Sequence, residues 1–311
     1  TQAELDRARN TIETGIIRGL ETLGGFGGVA DRLNQYNHYV GDPGYLDEDI
    51  ARYRNATIVS VRAFAEDQLQ SSARAVVYGV PGAQKLAAEV PTPKTDAAAT
   101  AKKGGEASNP DQLWRAQPPK AAAARALSLP APSSFTLPNG LTVIYNQRPG
   151  LPMVSANLVI RTGSDSNPAD LPGLANFVSA MLDEGTATRS APQIADEAAQ
   201  LGAALNTNSS MDATFVSVSS LKKNFPAALS LLADVVLHPS FPQDEIDRQK
   251  ASRSAQILQR RENPGIVSNQ VIAAALYGWQ HPYGYPEIGT EAAIKAANRD
   301  AMIAFWRQNF V

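Results

Sequence analysis

Side chains that hold metals or move protons are scarce in this sequence. Its histidines are His38, His238 and His281, with no pair at ligand spacing, and cysteine is absent. Disulfides and thiolate metal sites are therefore excluded. His238 precedes Pro239, which ends a helical pattern, and His281 sits in an aromatic stretch. Ser179 is a possible nucleophile, but no Gly-x-Ser-x-Gly elbow surrounds it, which argues against a serine hydrolase. Gly24, Gly25, Gly27 and Gly28 follow no strand and precede no Gly-Lys-Ser/Thr, so they read as a helix–helix loop rather than a phosphate cradle. The aromatic run from Tyr277 to Tyr285 reads as a packing loop, and Arg260-Arg261-Glu262 as a solvated helix end.

Composition narrows the partners. A length of 311 residues suits about two domains. With 43% hydrophobic and 19% charged residues, the chain can bury a sizeable core. A net charge of −2, with both signs intermixed, argues against nucleic acid or an anionic membrane surface as partner. No apolar run approaches the roughly 18 residues that a membrane span requires. Thr1 opens directly into a helical pattern without a signal peptide, so the expectation is a removed leader or a start inside a longer chain. The lack of cysteine suits a periplasmic or secreted protein.

The elements that must position any site fall into three stretches. Residues 1–90 read as mostly helical. Leu5, Ala8, Ile12, Ile16 and Leu20 recur at helical spacing, a second stripe runs through Ala30, Leu33 and Tyr36, and Thr57 caps a helix through Val61, Phe64 and Leu69. Residues 73–80 alternate as a strand. Residues 91–133 hold 12 Ala and 7 Pro; too little surface can be buried there to offset ordering entropy, so this reads as a linker. From residue 134 a new α/β pattern runs to residue 311. Strands are expected at 141–145 and 153–161, a helix from near Asp170, and a helix capped by Ser190 and Gln193. A strand pair follows at 205–220, then helices at 226–237 and 242–261.

The two ends of the chain resemble each other. Glu4-Leu5-Asp6-Arg7 matches Glu245-Ile246-Asp247-Arg248, and Phe64 matches Phe305, both 241 residues apart. Between them Tyr39, Pro43 and Tyr45 resemble Tyr277, Pro282 and Tyr285. A period of one domain length implies two copies of a domain rather than a solenoid. The first copy shows only its late elements and the second lacks its last strand, so the chain reads as cut at both ends.

Two passages bring a family into view. Phe135-Thr136-Leu137-Pro138-Asn139-Gly140-Leu141-Thr142-Val143 resembles the opening strand–turn–strand of an insulinase-like (pitrilysin-type) metallopeptidase domain, and Asn139-Gly140 is itself a hairpin signal. Gly173-Leu174-Ala175-Asn176-Phe177-Val178-Ser179-Ala180-Met181-Leu182, followed by Glu184-Gly185-Thr186, resembles that family's metal-binding helix, whose motif is H-x-x-E-H. The likeness continues through residues 227–237, Pro239-Ser240-Phe241 and Glu262-Asn263-Pro264. Residues 1–90 are similar to the closing part of a preceding domain of the same family. The fold implied is α+β, a mixed and largely antiparallel sheet covered by helices.

In the motif, two histidines four apart share one zinc, and the glutamate activates a zinc-bound water. Leu174, Phe177, Val178, Met181 and Leu182 make the helix's core stripe, leaving Asn176, Ser179 and Ala180 for the site. The ligand positions are then Asn176 and Ala180, and the general-base position is Ser179. The family's further ligand, a glutamate on a later helix, falls on Gln256, and an acidic residue seven before it falls on Gln249. The resemblance thus implies a degenerate site with no catalytic residue and no metal in this chain. Zinc is expected in a catalytic half, either fused to this chain or on a partner subunit. The function implied is the non-catalytic half of a zinc metallopeptidase that helps enclose a peptide substrate. The other reading is a non-enzymatic structural or binding homologue.

Overall fold

The computed structural model of the chain describes residues 1–80, 82, 126 and 129–311. Thr1–Leu69 and Pro149–Val311 make one compact unit, and Gln70–Arg148 another. The expected linker at 91–133 lies almost wholly outside the described residues. In chain order the first unit begins with four helices, α1 (Gln2–Gly19), α2 (Val29–Tyr39), α3 (Leu46–Asn55) and α4 (Ile58–Gln68). The second unit contains the hairpin β1 (Ser133–Thr136) and β2 (Thr142–Tyr145). The first unit resumes with β3 (Met153–Ile160), α5 (Leu174–Met181), α6 (Ala191–Gln200), β4 (Ala204–Ser209) and β5 (Thr214–Leu221). It continues with α7 (Phe225–Leu237), α8 (Gln243–Arg261), α9 (Pro264–Tyr277), α10 (Glu291–Ala296) and α11 (Arg299–Asn309).

Local chemistry sets several boundaries where the sequence places them. The Thr57 hydroxyl accepts from the Ser60 N–H at 3.0 Å and Ser60 Oγ accepts from the Thr57 N–H at 2.9 Å, starting α4. Ser190 and Gln193 form the capping box of α6, with Pro192 in its first turn. In the hairpin Gly140 takes a φ of +87°, which a side chain would resist, and Thr136 pairs with Thr142.

Two expectations fail for physical reasons. The alternating run at 73–80 forms no strand: Ala73 ends a 3-10 turn and residues 74–80 form no regular element. A strand exists through its ladder hydrogen bonds, and none among the described residues pairs with it. Nor does α5 begin near Asp170; it begins at Leu174, because Pro172 and then Gly173, at φ +94°, interrupt the helical path.

In the first unit the sheet has the order β3-β5-β4, antiparallel throughout. Thr214, Val216, Val218 and Ser220 of the central strand all point to its buried side. Val216 and Val218 there meet Leu182, Ile194 of α6, and Leu231 and Val235 of α7. A second core surrounds α5: Phe177, Val178 and Met181 pack with Phe241, Ile246, Ile257, Met302 and Phe305. Trp306 and Phe310 touch both cores. The amphipathic stripe of α5 is therefore the hinge between sheet and helical layers.

Several helix boundaries keep the 241-residue spacing. Helices α1 and α8 begin at residues 2 and 243, α4 and α11 begin at 58 and 299 and end at 68 and 309, each pair 241 apart. Their caps, Thr57 and Asn298, are 241 apart as well. Yet equivalent residues differ in environment: Met302 and Phe305 are 0% and 4% exposed, whereas Val61 and Phe64 are 51% and 65% exposed.

Helix α1 packs against the far part of its own unit. Arg7 pairs with Asp196 at 2.7 Å, the Asn10 amide donates to the Gln200 carbonyl at 2.7 Å, and Lys223 reaches Glu13 at 3.3 Å. Gly202, at φ +59°, makes this approach possible, since a Cβ there would lie 2.5 Å from Thr14 Oγ1.

Candidate functional site

The Asn176-to-Ala180 face of α5 opens onto a cleft of about 650 Å³ walled by α8, α9 and the loop around Tyr283–Tyr285. The helix is fixed at its first turn by Asn167, whose side-chain oxygen accepts from the Ala175 N–H at 2.7 Å and whose amide donates to Tyr285 Oη at 3.2 Å. Tyr285 in turn donates to the Ser164 carbonyl at 3.3 Å. Gly173 and Gly289 let the loop come close: a Cβ on Gly173 would stand 2.5 Å from Gly289 Cα, and one on Gly289 would overlap the Pro172 carbonyl oxygen.

Opposite α5, helix α8 presents Gln249, Arg253 and Gln256 to the cleft at the i, i+4, i+7 spacing of one face. Gln249 Nε2 donates to Glu184 Oε1 at 2.6 Å, and Arg248 binds the same carboxylate. Gln256 is exposed and its amide donates to Ser252 within its own helix.

Arg253 crosses to α5. Its Nη1 donates to Asn176 Oδ1 at 2.8 Å and its Nη2 to the Asn176 carbonyl oxygen at 2.9 Å. The guanidinium lies 4.7 Å from the centre of the Phe177 ring, and the residue is only 5% exposed. Burial lowers its pKa to about 10, so it remains a cation at neutral pH.

Of the five residues that the sequence singles out, Asn176, Ala180, Gln249 and Gln256 line this cleft. Ser179 does not: it is 0% exposed, and its hydroxyl has no hydrogen-bond partner. The aromatic stretch packs as expected, with Tyr277, His281 and Tyr283 in mutual ring contact, but Tyr283 and Tyr285 also line the cleft. Arg260, read from sequence as part of a solvated helix end, is exposed and lines the cleft too. Arg253 and Asn167 carried no signal in the sequence, because their partners lie 77 and 118 residues away.

These donors do not fit a zinc ion. Zinc takes imidazole, thiolate or carboxylate ligands, whereas the motif positions offer the carboxamides of Asn176, Gln249 and Gln256 and the methyl of Ala180, and Glu287 is the one carboxylate lining the cleft. Both oxygens of Asn176 already accept from a buried cation. Among the described residues no cluster of three His, Cys, Asp or Glu side chains could hold a metal.

Comparison with known proteins places this geometry. Residues 142–289 match the insulinase family, peptidase family M16. A zinc protease of Bacillus subtilis, YmxG, is 28% identical over 168 residues, 54% of this chain and 41% of its own length. The crystal structure of a peptidase M16 inactive domain from Pseudomonas fluorescens is 30% identical with a TM-score of 0.53, covering 56% of this chain and 42% of that one. The periplasmic protease PqqL from Escherichia coli shares the fold at 19% identity and a TM-score of 0.53, covering 59% of this chain and 21% of its own. Fold and matched segment together define an α+β insulinase-like unit. Through residues 142–289 the chain is similar to the insulinase family, and it spans well under half the length of the curated relatives it matches.

Proposed function

We propose that this chain is part of the non-catalytic half of an insulinase-family zinc metallopeptidase, forming wall and substrate contacts while a separate half carries the zinc. The observation that carries this reading is the Arg253 clamp on Asn176: a fixed, buried guanidinium beside the positions where the family would hold a divalent cation. In this reading Asn176, Ser179, Ala180, Gln249 and Gln256 are the emptied motif positions. The zinc-bearing half is then either fused to this chain or a partner subunit, and a peptide is its substrate.

The domain assignment belongs to the same proposal: residues 1–90 close a preceding insulinase-like domain, 91–133 link, and 134–311 form the degenerate domain. The exposed apolar face of α4 supports it. In the second copy the equivalent face of α11 is covered by α5, so Val61 and Phe64 have the surface of a helix that packs on an α5-like element outside the described residues. Absent cysteines and the likeness to a periplasmic protease favour a periplasmic or secreted location; no helix among the described residues is long and apolar enough to cross a membrane.

The test is metal content by mass spectrometry and peptide hydrolysis, for this chain and for the full-length protein. We expect zinc and cleavage only with the latter. Stoichiometric zinc on this chain alone would overturn the assignment, and a metal-free, inactive full-length protein would leave a scaffold.

A further inference from the structure

A guanidinium removed from water normally faces a carboxylate, because desolvation of an ion costs several kcal/mol that a paired charge must offset. Arg253 faces none. Its Nη atoms donate to two neutral oxygens of one asparagine, its Nε has no acceptor, and desolvation alone acts on its ionisation. The remaining charged residues that line the cleft are Arg260 and Glu287. Burial pushes the Glu287 carboxyl above its usual range, and the charge of Arg260 offsets only part of that rise. Two cations against one carboxylate leave an excess of one positive charge, in a cleft whose other polar groups include the amides of Gln256, Asn269 and Gln270.

We propose that this cleft is a binding site for a carboxylate carried by a peptide, an acidic side chain or a C-terminus, with Arg253 as its fixed cation. One monoanion balances the charge; a dianion would overshoot it. The volume of about 650 Å³ admits a short peptide segment. The amides supply donors and acceptors for a peptide backbone, and Tyr283 and Tyr285 supply apolar surface beside it. Arg253 is already held by Asn176 and Phe177, so little of its freedom is lost when a ligand arrives. The inference rests on the metal-free reading of the cleft.

The experiment is calorimetric titration of the whole chain with three short synthetic peptides of common sequence. One is amidated with a central Glu, one is amidated with Gln in its place, and one has that Gln with a free C-terminal carboxylate. At least one of the two carboxylate peptides is expected to bind about ten-fold tighter than the neutral one, and which of them does so identifies the source of the group. Added salt should erode that preference. Arg253→Met should abolish it and Arg253→Lys retain part of it. Because either substitution at this buried position can disturb folding, the exposed Arg260→Gln serves as second variant and should reduce the preference.

Equal affinity for the three peptides, or binding of none, overturns the proposal. Each titration is run with chelator and again with added zinc. A preference that appears only with zinc overturns the metal-free reading and this inference together. Absence of preference in both media removes the carboxylate site and leaves the metal-free reading standing.

Discussion

At the scale of single residues, the site turns on what Arg253 does to the positions around it. Changing Asn176→His, Ser179→Glu, Ala180→His and Gln256→Glu restores the family's ligand types, yet Arg253 remains, and Ser179 has no solvent to receive a charged side chain. Calorimetric zinc titration of this variant should show weak binding, and Arg253→Ala added to it should raise affinity; tight binding with Arg253 in place would refute the blocking role. A second residue-scale expectation concerns Asp234. Burial works to raise its carboxyl, but hydrogen bonds from Thr186, Arg189 and His238 outweigh it and hold the group below the usual carboxylate range. A group with a depressed folded-state pKa contributes stability above its unfolded value, near 4, and loses it as pH falls through the folded value. Asp234→Asn should cost about 1–3 kcal/mol at neutral pH and should flatten the acid limb of a denaturant-melt series against pH. Sequence made part of this site legible. The apolar spacing of α5 separates Asn176 and Ala180 from the core residues, but it places Ser179 on the open face, where the structure buries it. An arginine in mid-helix reads as solvated unless its distant partner is known.

At the scale of elements, caps were readable and close approaches were not. Thr57, and Ser190 with Gln193, are local signals, satisfied within three residues. Gly173 and Gly289 look like ordinary loop glycines until the fold brings them together. Gly173→Ala should force its neighbour to move and strain the backbone at φ +94°, lowering stability by about 2 kcal/mol or more in thermal melts, with the cleft disordered first. Phe241 is similar: it is fully buried at φ +48°, an unfavourable conformation for an aromatic residue, and Arg299 donates to its carbonyl at 3.0 Å. The failed strand at 73–80 marks the same boundary from the other side. Alternation is visible in sequence, but a pairing partner is not.

At the scale of the molecule, the exposures of α4 and α11 predict opposite outcomes at residues 241 apart. Phe305→Ala should destabilise this chain by about 3–5 kcal/mol in denaturant titration. Phe64→Ala should change it by about 0.5 kcal/mol or less. Equal losses at both sites in this chain would contradict the exposed face of α4. Most of the α+β order was legible, because periodicity and caps are local. The joining of Thr1–Leu69 to Pro149–Val311 was not, because its contacts are carried by polar side chains on surfaces that read as solvated. That joining also governs how the chain comes into being. Asn10 must wait for a carbonyl 190 residues further on, an interval of about 10–40 s at the usual pace of translation. Throughout it α1 can rest on α3, through Glu13 and Arg54, but not on α6, so the face that Asn10 shares is most open to proteolysis and chaperone capture before α6 emerges.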